Sequence, residues 1–124
     1  MTITELKPNE VFVFGSNLAG RHGAGAARQA RLDFGAEYGI GEGLTGQCYA
    51  FPTKDSNLKP LDRNGLERSI CNFLGTVKEH QELTFLLTKV GCGLAGFDEH
   101  YIKSLFADYR DYLTLSNIVK PEGW

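Results

Sequence analysis

At 124 residues the chain has room for one domain, 1–124, and not for two. Hydrophobic residues make up 42% and charged residues 23%, the balance of a water-soluble globular fold, and the net charge of −2 argues against a non-specific grip on a nucleic-acid backbone. No apolar run approaches the ~20 residues that cross a bilayer, and three widely spaced cysteines without a CxxC pair argue against a zinc site.

The first ten residues, MTITELKPNE, carry no apolar leader segment, and the odd cysteine count suits a reduced, cytoplasmic chain. Residues 11–14 (VFVF) form a β-prone apolar run that stops at Gly15, which predicts a buried strand. Residues 24–34 are alanine-rich and free of proline. Ala26, Ala27, Ala30 and Phe34 recur there at helical spacing. Residues 35–46 (GAEYGIGEGLTG) predict a long loop, and residues 48–51 a second strand stopped by Pro52. Residues 61–80 predict a helix capped by Asp62, with Leu66, Ile70, Phe73, Leu74 and Val77 as its apolar stripe. A third buried strand is expected over 83–88. A helix is expected over 98–113, capped by Asp98, with Ile102, Leu105, Phe106 and Tyr109 on one face; a last strand is expected over 117–119.

Buried strands alternating with amphipathic helices predict an α/β fold: a three-layer α/β/α sandwich on a compact, mostly parallel sheet. Ligands of such sheets sit beyond the carboxyl ends of the strands. Three connections emerge there, 15–25, 52–61 and 89–97. The chain's 15 glycines cluster mainly in 15–25, 35–46 and 91–96, so two of the three clusters fall at this edge. The first loop runs Gly15-Ser16-Asn17-Leu18-Ala19-Gly20-Arg21-His22-Gly23-Ala24-Gly25 between a strand and a helix. Its glycines allow backbone N–H groups to approach an anion at a helix N-terminus, or they serve a tight structural turn. Its GxxGxG spacing is neither the Walker pattern nor GxGxxG. The second loop, Gly91-Cys92-Gly93-Leu94-Ala95-Gly96, has the same setting. Together the two are suited to the two phosphates of a pyrophosphate.

Residues 17–27 (NLAGRHGAGAA) resemble the macrodomain pattern N-x-x-G-x-x-G-x-G-x-A. Residues 90–97 (VGCGLAGF) resemble the macrodomain I-G-C-G-L-x-G-L loop. Residues 49–54 (YAFPTK) resemble the F-P-T-K strand end of one macrodomain branch. That branch includes the terminal ADP-ribose-protein glycohydrolase and an antitoxin that removes ADP-ribose from DNA. The three motifs occur in family order and span 11 to about 113.

The resemblance implies ADP-ribose, or an ADP-ribosylated protein, nucleic acid or small molecule, as ligand, with no cofactor, no metal and no membrane partner. A compact domain of this kind suits a bacterial or phage protein. The resemblance places Asn17 near the distal ribose, Gly23 and Gly25 along the diphosphate and that ribose, and Gly91, Gly93, Leu94 and Ala95 across from them, with Phe97 beneath or beside the ligand. Gly15, Ser16, Gly20, Ala24, Thr53, Cys92 and Gly96 join the expected binding set. Lys54 matches the catalytic lysine, which attacks or activates the anomeric carbon of the distal ribose. A family alternative is a binder that sequesters the nucleotide without chemistry.

Two departures stand out. Ala95 occupies the place where one relative carries an aspartate, and nothing in MTITELKPNE matches the early Gly-Asp-Ile segment that holds adenine. One or two edge strands of the family are also expected to be missing. Other side chains keep two readings. His22 either donates to a ligand oxygen or faces water, and Arg21 either contacts phosphate or is solvated. Tyr38 and Tyr49 either stack on the ligand or pack in the core. Asp55 is read as an ion-pair partner of Lys54 ahead of a group that orients an acceptor, Cys92 as a small residue in a tight loop ahead of a reactive thiol, and Cys48 and Cys71 as buried core.

Overall fold

A computed structural model describes residues 3–124. Met1 and Thr2, the start of the segment read above for a leader, lie outside the described residues. The elements run β1 (Glu10–Asn17), α1 (Gly25–Asp33), β2 (Gly43–Thr45), β3 (Cys48–Lys54), α2 (Arg63–Glu79), β4 (Thr84–Leu87), α3 (Glu99–Ala107), α4 (Arg110–Thr114) and β5 (Ile118–Val119). One five-stranded sheet has the order β2-β3-β1-β4-β5. β1 pairs in parallel with β3 and β4, and β4 with β5; only β2 runs antiparallel, against β3. The fold is α/β on a mostly parallel sheet. Among the described residues no helix is long and apolar enough to cross a membrane.

The continuous apolar run at 11–14 follows from burial of β1 on both faces. Val11 and Val13 join Tyr49 and Phe51 on the side covered by α2 and α3. Phe12 and Phe14 face the other way, with Cys48 and Ala50, toward Ala27 and Ala30 of α1. The two faces differ in bulk. Small side chains bring α1 close to the sheet, whereas the opposite layer is aromatic, with Phe73 edge-on to Tyr49 at 5.2 Å and to Phe85 at 5.9 Å.

Four expectations are corrected. Pro52 does not end β3. β2 pairs only as far as Ala50 and the returning hairpin only from Thr53, so β3 has a strand neighbour on one side only at Pro52, where proline is tolerated. Residues 35–46 are not all loop, because Gly43–Thr45 form β2. The helix expected over 98–113 is broken at Tyr109, whose backbone is extended (φ −102°, ψ 122°). An unbroken helix would set Phe106 and Tyr112 about 120° apart around its axis. The break lets both face the core, with their rings 4.9 Å apart. Finally, Cys71 is exposed, because it follows Ile70 and so points off the apolar stripe of α2, while Cys48 is buried. Asp62 caps α2 as expected, accepting the Gly65 N–H at 2.8 Å.

Candidate functional site

The carboxyl ends of β1, β3 and β4 open into one pocket of about 660 Å³. β1 contributes Gly15, Ser16 and Asn17, because the strand runs farther than its apolar core and takes in what reads as the start of a loop. Gly23, Ala24 and Gly25 bring the first turn of α1 to the wall. Thr53 and Lys54, at the end of β3, line it as well. Gly91, Gly93, Leu94 and Ala95 close the other side. The two loops meet over the opening: Leu94 Cδ1 lies 3.9 Å from the position a Gly25 Cβ would take, and the Leu94 side chain is 72% exposed.

Several groups shape the site from behind. Asn17 spans the first loop, accepting the Arg21 N–H at 3.0 Å and donating to the Arg21 carbonyl at 2.8 Å. Thr53 Oγ1 donates to the Ser16 carbonyl at 3.3 Å, and Ser16 Oγ donates to the Gly41 carbonyl. Gly20 belongs to this frame and not to the pocket lining. Its φ is +71°, and a Cβ there would stand 2.6 Å from Gly39 Cα and closer still to the Gly39 carbonyl. The segment 35–43 thus braces the first loop. Gly96 is likewise a turn residue (φ +79°), donating to the Gly93 carbonyl at 3.0 Å.

His22 departs from both expectations. It is fully buried, so it neither faces water nor lines the pocket. Its ring stands edge-on to Phe14 at 5.1 Å, and Nε2 lies 3.0 Å from the Ile40 carbonyl, which fixes the proton on Nε2. Nδ1 is buried without a hydrogen-bond partner among the described residues. Burial lowers the pKa of this imidazole from the usual 6.5, against a smaller opposing effect of the Ile40 hydrogen bond. Phe97 lies under the second loop. It packs on Tyr101 and donates its N–H to the Gly91 carbonyl at 2.9 Å. Cys92 turns inward, its thiol raised by burial and by Glu99 and Asp98, the opposite of an activated thiolate.

Asp55 is not an ion-pair partner of Lys54. Its carboxylate accepts the Asn57 and Lys59 N–H groups at 2.8 and 3.0 Å and pins a tight hairpin. Among the described residues no carboxylate stands within salt-bridge distance of Lys54. The pocket lining holds three cationic side chains, Arg21, Lys54 and Lys89, and no acidic one. Lys89 Nζ is 2.8 Å from Glu99 Oε1, and that hydrogen bond raises the lysine and lowers the carboxyl.

The sequence motifs do not mark Lys89, Thr88 or Leu58, and Arg21 and Tyr38 each carry two readings. All five line the pocket, whereas Tyr49 is core. The signal for Lys89 was its place at the strand end two residues before Gly91. No comparable signal marks Leu58, which reaches the pocket only because the hairpin folds back over β3. The amino end of α1 completes the wall. Ala24 at its N-cap offers no side-chain acceptor, and its first turn holds no acidic residue, so its N–H groups are available to an anion. Among the described residues no cluster of three or more His, Cys, Asp or Glu could hold a metal ion. Comparisons with protein-family models, with curated proteins and with solved structures find no match to the chain.

Proposed function

We propose that the pocket binds ADP-ribose and that Lys54 serves hydrolysis of an ADP-ribosyl linkage. The observation that carries the reading is the composition of the lining. Three cations, no carboxylate and a helix amino end left open to an anion meet between two glycine-rich loops. This suits a ligand with two adjacent phosphates. Gly23 and Gly93 support it further: each has open space where a Cβ would be, so the fold's own packing does not require glycine there, and both line the pocket. Close approach of a ligand to the backbone supplies the reason.

In this reading the diphosphate lies between the loops, and the distal ribose reaches the end of β3. The Lys54 amine attacks or activates the anomeric carbon. The bond from that carbon to a carboxylate or nucleobase breaks, the leaving group departs, and water completes release of free ADP-ribose. The macrodomain resemblance of residues 17–27, 49–54 and 90–97 supports the same assignment.

Release of labelled ADP-ribose from an ADP-ribosylated substrate tests the proposal. Lys54→Ala should abolish release while ADP-ribose affinity stays within about tenfold. Equal turnover by wild type and variant removes Lys54 from the mechanism. One observation favours the alternative, a binder without chemistry: the lining offers no carboxylate to activate water, and Ala95 stands where a relative has aspartate. Tight ADP-ribose binding with no release from any ADP-ribosylated substrate would establish that alternative.

A further inference from the structure

Leu58 is the single residue other than glycine with a left-handed backbone among the described residues, at φ +63°. That conformation is uncommon for a side chain of this size. The hairpin that holds it is tightly determined. Asp55 N–H donates to the Lys59 carbonyl at 2.8 Å, Leu58 N–H donates to the Asp55 carbonyl at 3.0 Å, and the Asp55 carboxylate holds two further N–H groups. A bridge between Lys54 and Pro60 and a bond from Leu61 N–H to the Thr53 carbonyl at 2.9 Å tie the hairpin to the end of β3. A three-residue turn of this kind normally places glycine or asparagine at the left-handed position. Here the position carries leucine, its side chain is 40% exposed, and it lines the pocket on the same hairpin as Lys54.

The strain brings the fold no buried packing in return, since Leu58 belongs to neither core cluster. Strained backbone of this kind collects at ligand-contacting positions. We infer that Leu58 is a specificity residue: its side chain packs on the apolar C–H face of the distal ribose and sets that sugar against Lys54. The inference rests on the ADP-ribose reading.

The test compares ADP-ribose with ADP, which lacks the distal ribose, by calorimetric titration of wild type, Leu58→Gly and Leu58→Met. Glycine relieves the backbone and removes the contact; methionine keeps an apolar side chain. Leu58→Gly should melt at the wild-type temperature or above. It should bind ADP-ribose about fivefold more weakly and ADP unchanged, and Leu58→Met should restore most of the lost affinity. Unchanged ADP-ribose affinity in Leu58→Gly overturns the inference and leaves the ADP-ribose reading standing. An equal loss for both nucleotides, or a lower melting temperature, likewise overturns it. Wild-type protein that binds neither nucleotide overturns the ADP-ribose reading, and this inference with it.

Discussion

Gly20 and Gly23 lie three residues apart in one loop, yet a methyl at Gly20 meets the Gly39 backbone and one at Gly23 meets open space. Gly20→Ala places a methyl against the Gly39 backbone, 2.6 Å from its Cα and nearer its carbonyl, with φ at +71°. The left-handed conformation alone costs an L-residue about 1–2 kcal/mol. The overlap is with backbone and cannot be relieved by a side-chain rotation, so the bracing segment must move. A total of at least ~3 kcal/mol is expected, in the range of severe single substitutions. For a chain of this size that lowers the melting temperature by roughly 10 °C or more. Gly23→Ala meets nothing within 4 Å and sits outside the left-handed region, so stability should hold or rise by about 0.4–1 kcal/mol through the unfolded chain. Its methyl, however, projects where the diphosphate is proposed to lie, and ADP-ribose affinity should fall at least about tenfold. Thermal melts with and without ADP-ribose read both effects at once. A Gly20→Ala protein melting within a few degrees of wild type refutes the bracing role. A Gly23→Ala protein with wild-type affinity takes the phosphates away from that loop.

Two further outcomes test the surroundings of the site. His22 is held neutral by burial, so its folded-state pKa lies below the unfolded value near 6.5. Its contribution to stability is complete above that pH and is lost as pH falls through the folded pKa, with a slope of up to about 1.4 kcal/mol per pH unit. Denaturant melts between pH 8 and 5 should show this slope in wild type and a shallower one in His22→Gln; identical slopes would exclude His22 as the group responsible. Among the thiols, exposed Cys71 should alkylate first and Cys92 slowly. Cys48, buried with its thiol pushed up to about 12, should react only on unfolding. Mass spectrometry after iodoacetamide gives the order, and early labelling of Cys92 would contradict its inward setting.

How far these features were legible before the fold was known depends on the range of the interactions that make them. β1 reads directly from Val11–Phe14 because burial on both faces leaves an unbroken apolar run. α2 reads from its stripe and its Asp62 cap because both are local. β2 is three residues, Gly-Leu-Thr, and is a strand only because β3 lies beside it. The break at Tyr109 is set by the demand that Phe106 and Tyr112 share one core, which no helical period carries. At the site the glycine loops were legible from spacing. The burial of His22 was not, because Ile40 and Phe14, which enclose it, reach it through the folded brace. Leu58 was hidden for the same reason: a leucine in a polar turn shows nothing of its backbone sign until the hairpin closes.

Charge is distributed unequally between the two glycine-rich loops. Three helices begin at this sheet edge, after β1, β3 and β4. α2 opens with the Asp62 carboxylate already on the Gly65 amide; α3 has Asp98 at its N-cap position, where, against expectation, its side chain makes no capping hydrogen bond, and Glu99 in its first turn, engaged with Lys89. Their partial positive charges are met from within the chain. α1 alone begins with neither a capping side chain nor an acidic first turn. An anion in the pocket therefore gains most beside residues 23–25, where a helix terminus adds about 0.5 of an elementary charge, and less beside residues 91–96, where Glu99 stands close to Lys89. The overall charge of −2 gave no hint of such a site. Asp62, Asp98 and Glu99 sit at helix starts and no acidic residue lines the pocket, so the charges on its lining are those of Arg21, Lys54 and the Glu99-paired Lys89, beside one uncapped helix. If the pocket takes a diphosphate as proposed, these charges put its main hold on the first loop, and Leu94 of the second loop, 3.9 Å from the position of a Gly25 Cβ, lies beside it.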